Sequence, residues 1–98
     1  MPDFMILSRD VPDGLAIRSK VRSDHLDWLK QPSDCVVMTA GPWLDDTDAM
    51  RGSLLIVKAP SRGALDAWLA QDPYTKAGLP GHVDIRPFKL VIGRPEGT

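Results

Sequence analysis

Cysteine is nearly absent from this chain of 98 residues. Cys35 stands alone, so no internal disulfide can form, which fits a reducing, cytoplasmic compartment. An excess of one charge sign is missing as well. Twelve Lys and Arg stand against thirteen Asp and Glu, for a formal net charge of −1. That balance excludes the polybasic footprint of a nucleic-acid binder. Among the strand-like runs, Phe4 and Phe88 are the only aromatics, too few for a sheet on which bases stack. No apolar run approaches the roughly 18 residues that a membrane-spanning helix needs. Met1-Pro2-Asp3-Phe4 has no basic segment leading into an apolar one, so no secretory leader is expected. Gly-rich phosphate loops and a Gly-x-Ser-x-Gly elbow are lacking. So is any Cys/His cluster at zinc spacing. Asp45-Asp46-Thr47-Asp48 lacks the ligand spacing and downstream Glu of an EF-hand loop and reads as a solvated turn. Neither nucleic acid, membrane, metal nor cofactor is therefore expected as a partner.

What is present is ordinary in bulk. Hydrophobic residues make up 43% and charged residues 26%, the balance of one globular domain over 1–98, with an ordered core over about 3–93. A domain this small buries roughly 60–65% of its unfolded surface, and self-association is the usual remedy when no disulfide or metal staples it.

Phe4-Met5-Ile6-Leu7 is apolar on both parities and reads as a buried strand. Val11-Pro12-Asp13-Gly14 is a turn. Leu15 to Leu29 is helical, with Leu15, Ala16, Val21, Leu26 and Leu29 forming a stripe and Arg18, Lys20, Arg22, Asp24, Asp27 and Lys30 off it. Ser23-Asp24 resembles a fresh helix start, which predicts a kink near Arg22–Ser23 and puts His25 in the first turn of a second piece. Cys35 to Ala40 is a strand that Gly41-Pro42 should stop, and Gly52 to Lys58 is its hairpin partner. Cys35 within that run reads as a small buried hydrophobe. Ser61 caps a second helix that runs to about Gln71, and Asp72-Pro73 must end it. Tyr74 to Ala77 makes one more turn, capped by Gly78. Val83 to Ile92 is the last strand, and Pro87 argues for an edge position or a bulge. A polar tail follows over 93–98.

Strand, helix, strand, strand, helix, strand is the order of a ferredoxin-like βαββαβ α+β sandwich: a four-stranded antiparallel sheet with both helices on one face. The strands are apolar on both sides, so the uncovered face predicts a homodimer packed sheet to sheet.

The chemistry-bearing candidates are few. His25 at a helix start would be kept neutral by the macrodipole and so able to accept a proton. Asp72, at the end of the second helix, could reach and orient its ring. A surface or capping role accounts for His25 as well, and Asx-type turn bonding for Asp72. Tyr74 could donate to a ligand or simply pack with its tip wet. Gly41 and Pro42 could admit a ligand close to backbone, or merely end a strand. Trp68 belongs to the core by its spacing. Trp43, in a loop, suits a pocket or a dimer edge.

Taken together, Arg22-Ser23-Asp24-His25-Leu26, Thr39-Ala40-Gly41-Pro42, Gly52-Ser53-Leu54-Leu55-Ile56-Val57, Asp72-Pro73-Tyr74-Thr75-Lys76-Ala77-Gly78-Leu79 and Arg86-Pro87-Phe88-Lys89 resemble the YciI-like family of dimeric α+β barrel proteins, over about Phe4 to Gly93. The family often has Pro where this chain has Ser23. The resemblance implies a ferredoxin-like dimer and an active site whose His and Asp fall on His25 and Asp72. Tyr74, Gly41, Pro42, Ser53 and Trp43 are then the expected substrate contacts. One related enzyme class eliminates chloride from a chlorinated hydroxyquinol, and the wider group includes muconolactone isomerases and cofactor-free monooxygenases. The activity implied is a cofactor-free lyase or isomerase moving a proton on a small organic compound, with ring-containing or halogenated substrates as candidates. The alternative is a non-catalytic dimeric module that binds a small molecule or a partner.

Overall fold

The computed structural model describes residues 1–93, so the expected polar tail lies, from position 94 onward, outside the described residues. Strands β1 (Asp3–Asp10), β2 (Val36–Leu44), β3 (Met50–Lys58) and β4 (Pro80–Phe88) form one antiparallel sheet in the order β2-β3-β1-β4. Helix α1 (Gly14–Lys30) links β1 to β2, and α2 (Arg62–Leu69) with the short α3 (Pro73–Lys76) links β3 to β4. This is the ferredoxin-like α+β arrangement that the order of elements predicts.

Both edges explain a proline. β2 was expected to stop at Gly41-Pro42, yet it continues to Leu44. It is an edge strand, so the N–H that Pro42 lacks is not needed for a second ladder. Pro87 lies opposite Phe4 on β4, the other edge, as its presence in a strand required. β4 also starts and ends earlier than the apolar run suggested, at Pro80 and Phe88.

The largest correction concerns α1. It is one unbroken helix of 17 residues, with no kink at Arg22–Ser23. Ser23 is exposed on its outer side, where a Ser in mid-helix costs only about 0.5 kcal/mol. The buried positions Gly14, Arg18, His25 and Trp28, with half-buried Val21 between them, recur at steps of four and three. Tertiary packing along that stripe outweighs a local capping preference. His25 therefore sits in the helix interior, beyond the reach of the N-terminal dipole, and the first-turn argument for its neutrality lapses.

The second half of the chain follows its local chemistry. The Ser61 side chain accepts from Ala64 N at 3.1 Å and starts α2. Asp72 caps α3 by accepting from Tyr74 N at 2.9 Å, with Pro73 next in the position that suits it. Gly78 then turns the chain at φ 76°, a conformation that favours glycine.

Phe4 and Ile6 of β1, Leu55 and Val57 of β3, and Leu65 of α2 form the core with Cys35 and Ala59, against which Leu29 of α1 packs. The helices thus cover the face that carries residues 4, 6, 55 and 57. Cys35 is buried in this cluster, and burial, helped by Asp34, pushes its thiol up from the ordinary value. On the other face Leu7 and Leu54, paired across β1 and β3, are exposed, as is Phe88.

Candidate active site

Toward one end of the helix–sheet layer the inward-facing residues turn from apolar to polar. On β1 the series Phe4, Ile6 continues as Ser8 and Asp10, and on β3 Val57 and Leu55 give way to Ser53. On α1 the matching positions are Arg18 and His25. The turn at Asp72-Pro73-Tyr74 supplies the remaining wall.

His25 and Asp72 meet there. Asp72 Oδ1 lies 2.7 Å from His25 Nδ1, and both side chains are about nine-tenths buried. The same oxygen accepts the Tyr74 backbone N–H. A carboxylate oxygen is acceptor-only, so in the neutral imidazole the proton sits on Nδ1 and the lone pair on Nε2. Among the described residues Nε2 has no hydrogen-bond partner, and it is not a sealed, unsatisfied atom. The Tyr74 ring stacks on the imidazole at 3.9 Å between centroids and 15° between planes, and Trp28 lies 5.9 Å away. One imidazole is thus fixed by a carboxylate at one nitrogen and by a ring on one face.

A second buried polar group, absent from the sequence reading, adjoins the first. Arg18 donates to both oxygens of Asp10, from Nε and from Nη2, each at 2.9 Å. Nη2 also donates to Ser53 Oγ at 2.9 Å. The guanidinium lies over the Tyr74 ring, 4.9 Å from its centroid. Arg18, placed by its spacing on the solvated side of the helix, is only 3% exposed. The available signal was the run 14, 18, 21, 25, 28. It is a helical stripe that includes two polar residues, and a search for apolar stripes passes over it.

Burial pushes the Tyr74 phenol up, with the positive charges of Arg18 and Arg22 pulling the other way and Asp72 adding a smaller rise. At neutral pH it is an O–H donor. Among the described residues, no three His, Cys, Asp or Glu side chains gather as metal ligands.

Two cavities adjoin this cluster. One, of about 270 Å³, runs between sheet and helices past His25, Ser53, Asp72 and Tyr74 and has mostly apolar walls, Leu69, Leu79 and Ile85 among them. The other, of about 160 Å³, is bordered by Arg18, Arg22, His25, Gly41, Pro42 and Tyr74. His25, Ser53 and Tyr74 border both. Thus His25, Asp72, Tyr74, Ser53, Gly41 and Pro42 come together.

Trp43 does not join them. It lies in β2, not in a loop, and pairs with Gly52 on the sheet face turned away from the helices. Its Nε1 donates to Ser8 O at 2.7 Å, and Arg9 lies over its ring. Gly52 permits this, because a Cβ there would collide with the indole and with the Ser8 carbonyl. The expectation of Trp43 in the pocket is corrected on that ground.

Comparison with known proteins agrees with this fold. The YCII-related domain matches residues 3–89. An uncharacterized protein of Haemophilus influenzae and Protein YciI of Escherichia coli are each 37% identical over 96 residues, covering 91% of this chain and 98% of theirs. Among solved structures, 5-chloro-2-hydroxyhydroquinone dehydrochlorinase from Burkholderia phenoliruptrix AC1100, in complex with 2,5-dihydroxybenzoquinone, is 32% identical with a TM-score of 0.78, covering 89% of this chain and 93% of that one. An antibiotic biosynthesis monooxygenase at 16% identity and a TM-score of 0.60, covering 94% of this chain and 100% of that one, shares the fold.

Proposed function

The chain belongs to the YCII-related family, and from that premise we propose that it is a cofactor-free lyase or isomerase in which His25 takes a proton from a small oxygenated ring compound. The observation that carries this reading is the buried 2.7 Å bond from His25 Nδ1 to Asp72 Oδ1, which leaves Nε2 as the acceptor beside a largely apolar cavity. The substrate's O–H or C–H proton passes to Nε2. The electron pair left behind shifts a double bond in an isomerisation, or expels a leaving group such as halide in an elimination. The imidazolium so formed is stabilised by Asp72 and returns its proton to product or water. Apolar walls keep bulk water from competing for that proton. The Tyr74 O–H is a donor for an oxygen of the ring. The similarity to a dehydrochlorinase that holds a dihydroxyquinone supports halogenated and hydroxylated rings as the substrate class.

The test is proton-transfer turnover on a panel of ring lactones and halogenated quinols. His25→Ala should lower kcat by about 10²–10⁴-fold, the worth of a positioned general base. Turnover that survives this substitution at the wild-type rate would remove His25 from the mechanism. A second reading rests on the other bond of Asp72. Its Oδ1 also caps α3, so the pair would be structural in a module that binds without catalysis. No turnover in any variant, with ring binding retained, selects that reading.

The exposed Leu7, Leu54 and Phe88 on the uncovered face support a homodimer joined sheet to sheet, with Trp43 at its edge. Sedimentation of the wild type and of Leu54→Arg checks this, the substitution being expected to yield monomer. The single free thiol, Cys35, supports a reducing, cytoplasmic setting.

A further inference from the structure

We infer that Ser53 is the donor for the substrate oxygen on which negative charge develops, and that Asp10 and Arg18 are positioning residues that aim and polarise it. This rests on the reading of the cavity as a site for oxygenated rings and adds a second polar arm to the His25–Asp72 pair.

The hydrogen-bond inventory of Ser53 leads there. Its Oγ accepts from Arg18 Nη2 at 2.9 Å. Its own O–H donates to nothing among the described residues, and Ser53 is nonetheless 8% exposed and borders both cavities. With a cation donating into Oγ, the hydroxyl proton is directed away from Arg18 and made a stronger donor by polarisation along the chain. The remaining open direction is the cavity. His25 borders that cavity too, and in the neutral ring set by Asp72 its Nε2 is the acceptor. An occupant that gives a proton at one point and gathers negative charge on an oxygen at another matches both groups at once. Donors placed in advance where charge develops are among the largest contributors to rate.

Arg18 cannot swing away from this role. Asp10 grips it through two parallel bonds, and Tyr74 lies beneath the guanidinium. Stability gives no reason to keep such an ion pair in a small domain. Buried pairs replaced by apolar residues of similar volume often leave a protein equally stable or more so. Arg18 and Asp10 also border different cavities, Arg18 the smaller and Asp10 the larger, with Ser53 between them.

The experiment is equilibrium binding of 2,5-dihydroxybenzoquinone, followed through its visible absorption band, to wild type, Ser53→Ala, Ser53→Thr, Arg18→Lys and His25→Ala. Ser53→Ala should weaken binding about tenfold or more, the equivalent of one hydrogen bond to a charged oxygen, and diminish the shift of the band. Ser53→Thr keeps the hydroxyl and should restore both. Arg18→Lys loses the fork that grips Asp10 and should fall between them, whereas a merely structural arginine would leave the band of the bound quinone unmoved. Thermal denaturation identifies any variant that fails to fold, and Arg18→Lys carries the comparison in that event, wild-type affinity and band position there overturning the assignment. Wild-type affinity and band position in Ser53→Ala overturn the assignment whether or not His25 is the base. Failure of the wild type to bind the quinone overturns it together with the ring-site reading. Binding that follows Ser53, in a protein with no turnover on any substrate, sinks only the catalytic role of His25.

Discussion

The two ends of the space between sheet and helices are built from the same elements and opposite chemistry. At one end Phe4, Ile6, Leu55, Val57 and Leu65 interlock as an apolar core. At the other, further along the same two strands, Ser8, Asp10 and Ser53 face Arg18, His25 and Asp72. The first end lowers the free energy of folding by removing apolar surface from water. The second spends desolvation energy to hold charged and polar groups in fixed geometry. The contrast teaches where apolar packing gives way to a buried polar cluster: at Ser8 on β1, and between Leu55 and Ser53 on β3.

Substitutions should break the two ends differently. Asp10→Ala removes the partner of a guanidinium whose side chain is 4% exposed. The loss should be the largest, about 3–5 kcal/mol of stability by chemical denaturation, since an uncompensated charge stays buried. Replacing the pair together, as Asp10→Leu with Arg18→Met, should recover most of that loss while leaving quinone binding impaired. Recovery of binding along with stability would contradict the separation of roles. Leu65→Ala, at a fully buried position in the apolar end, should cost about 2–5 kcal/mol and leave the His25–Asp72 bond intact. Loss of that bond in the NMR spectrum of the folded variant would show that the two ends are mechanically coupled.

The smallest effect is also the cleanest to read. Tyr74 is the only tyrosine, so ultraviolet titration of the phenolate reports on it alone. Its midpoint should lie above the ordinary value of 10.0, because burial disfavours the phenolate more than the neighbouring arginines favour it. A raised value in the fold means the contribution to stability is complete below the unfolded midpoint near 10 and is lost as pH rises through the folded one. Arg18→Met removes a lowering influence and should raise the midpoint further. A fall would mean that Arg18 does not act on Tyr74 as a positive charge.

The apolar end was legible in the sequence and the polar end only partly so. Strand cores, the Ser61 cap, the Asp72-Pro73 corner and the Gly78 turn follow from local chemistry, and local chemistry is what a sequence displays. Pro42 and Ser23 misled because their cost depends on context: an edge strand does not need the missing N–H, and a packed helix overrides a capping serine. Asp72 and His25 could be named as a pair, yet for His25 the reason was mistaken, since it sits in a helix interior. Asp10 was out of reach, and Arg18 showed only as a polar member of the run 14, 18, 21, 25, 28. A charged residue at a helical position reads as solvated until its buried partner is known, and that partner lies on a strand eight residues away.

The tautomer of His25 tests the account most directly. At a pH where the ring is neutral, nitrogen-15 NMR of the imidazoles should show His25 protonated at Nδ1 and bare at Nε2, with exposed His82 as the internal reference. Asp72→Asn should perturb that pattern at His25 alone. A His25 ring that carries its proton on Nε2, or that responds to Asp72→Asn no more than His82 does, would contradict the claim that this carboxylate sets the imidazole as a base.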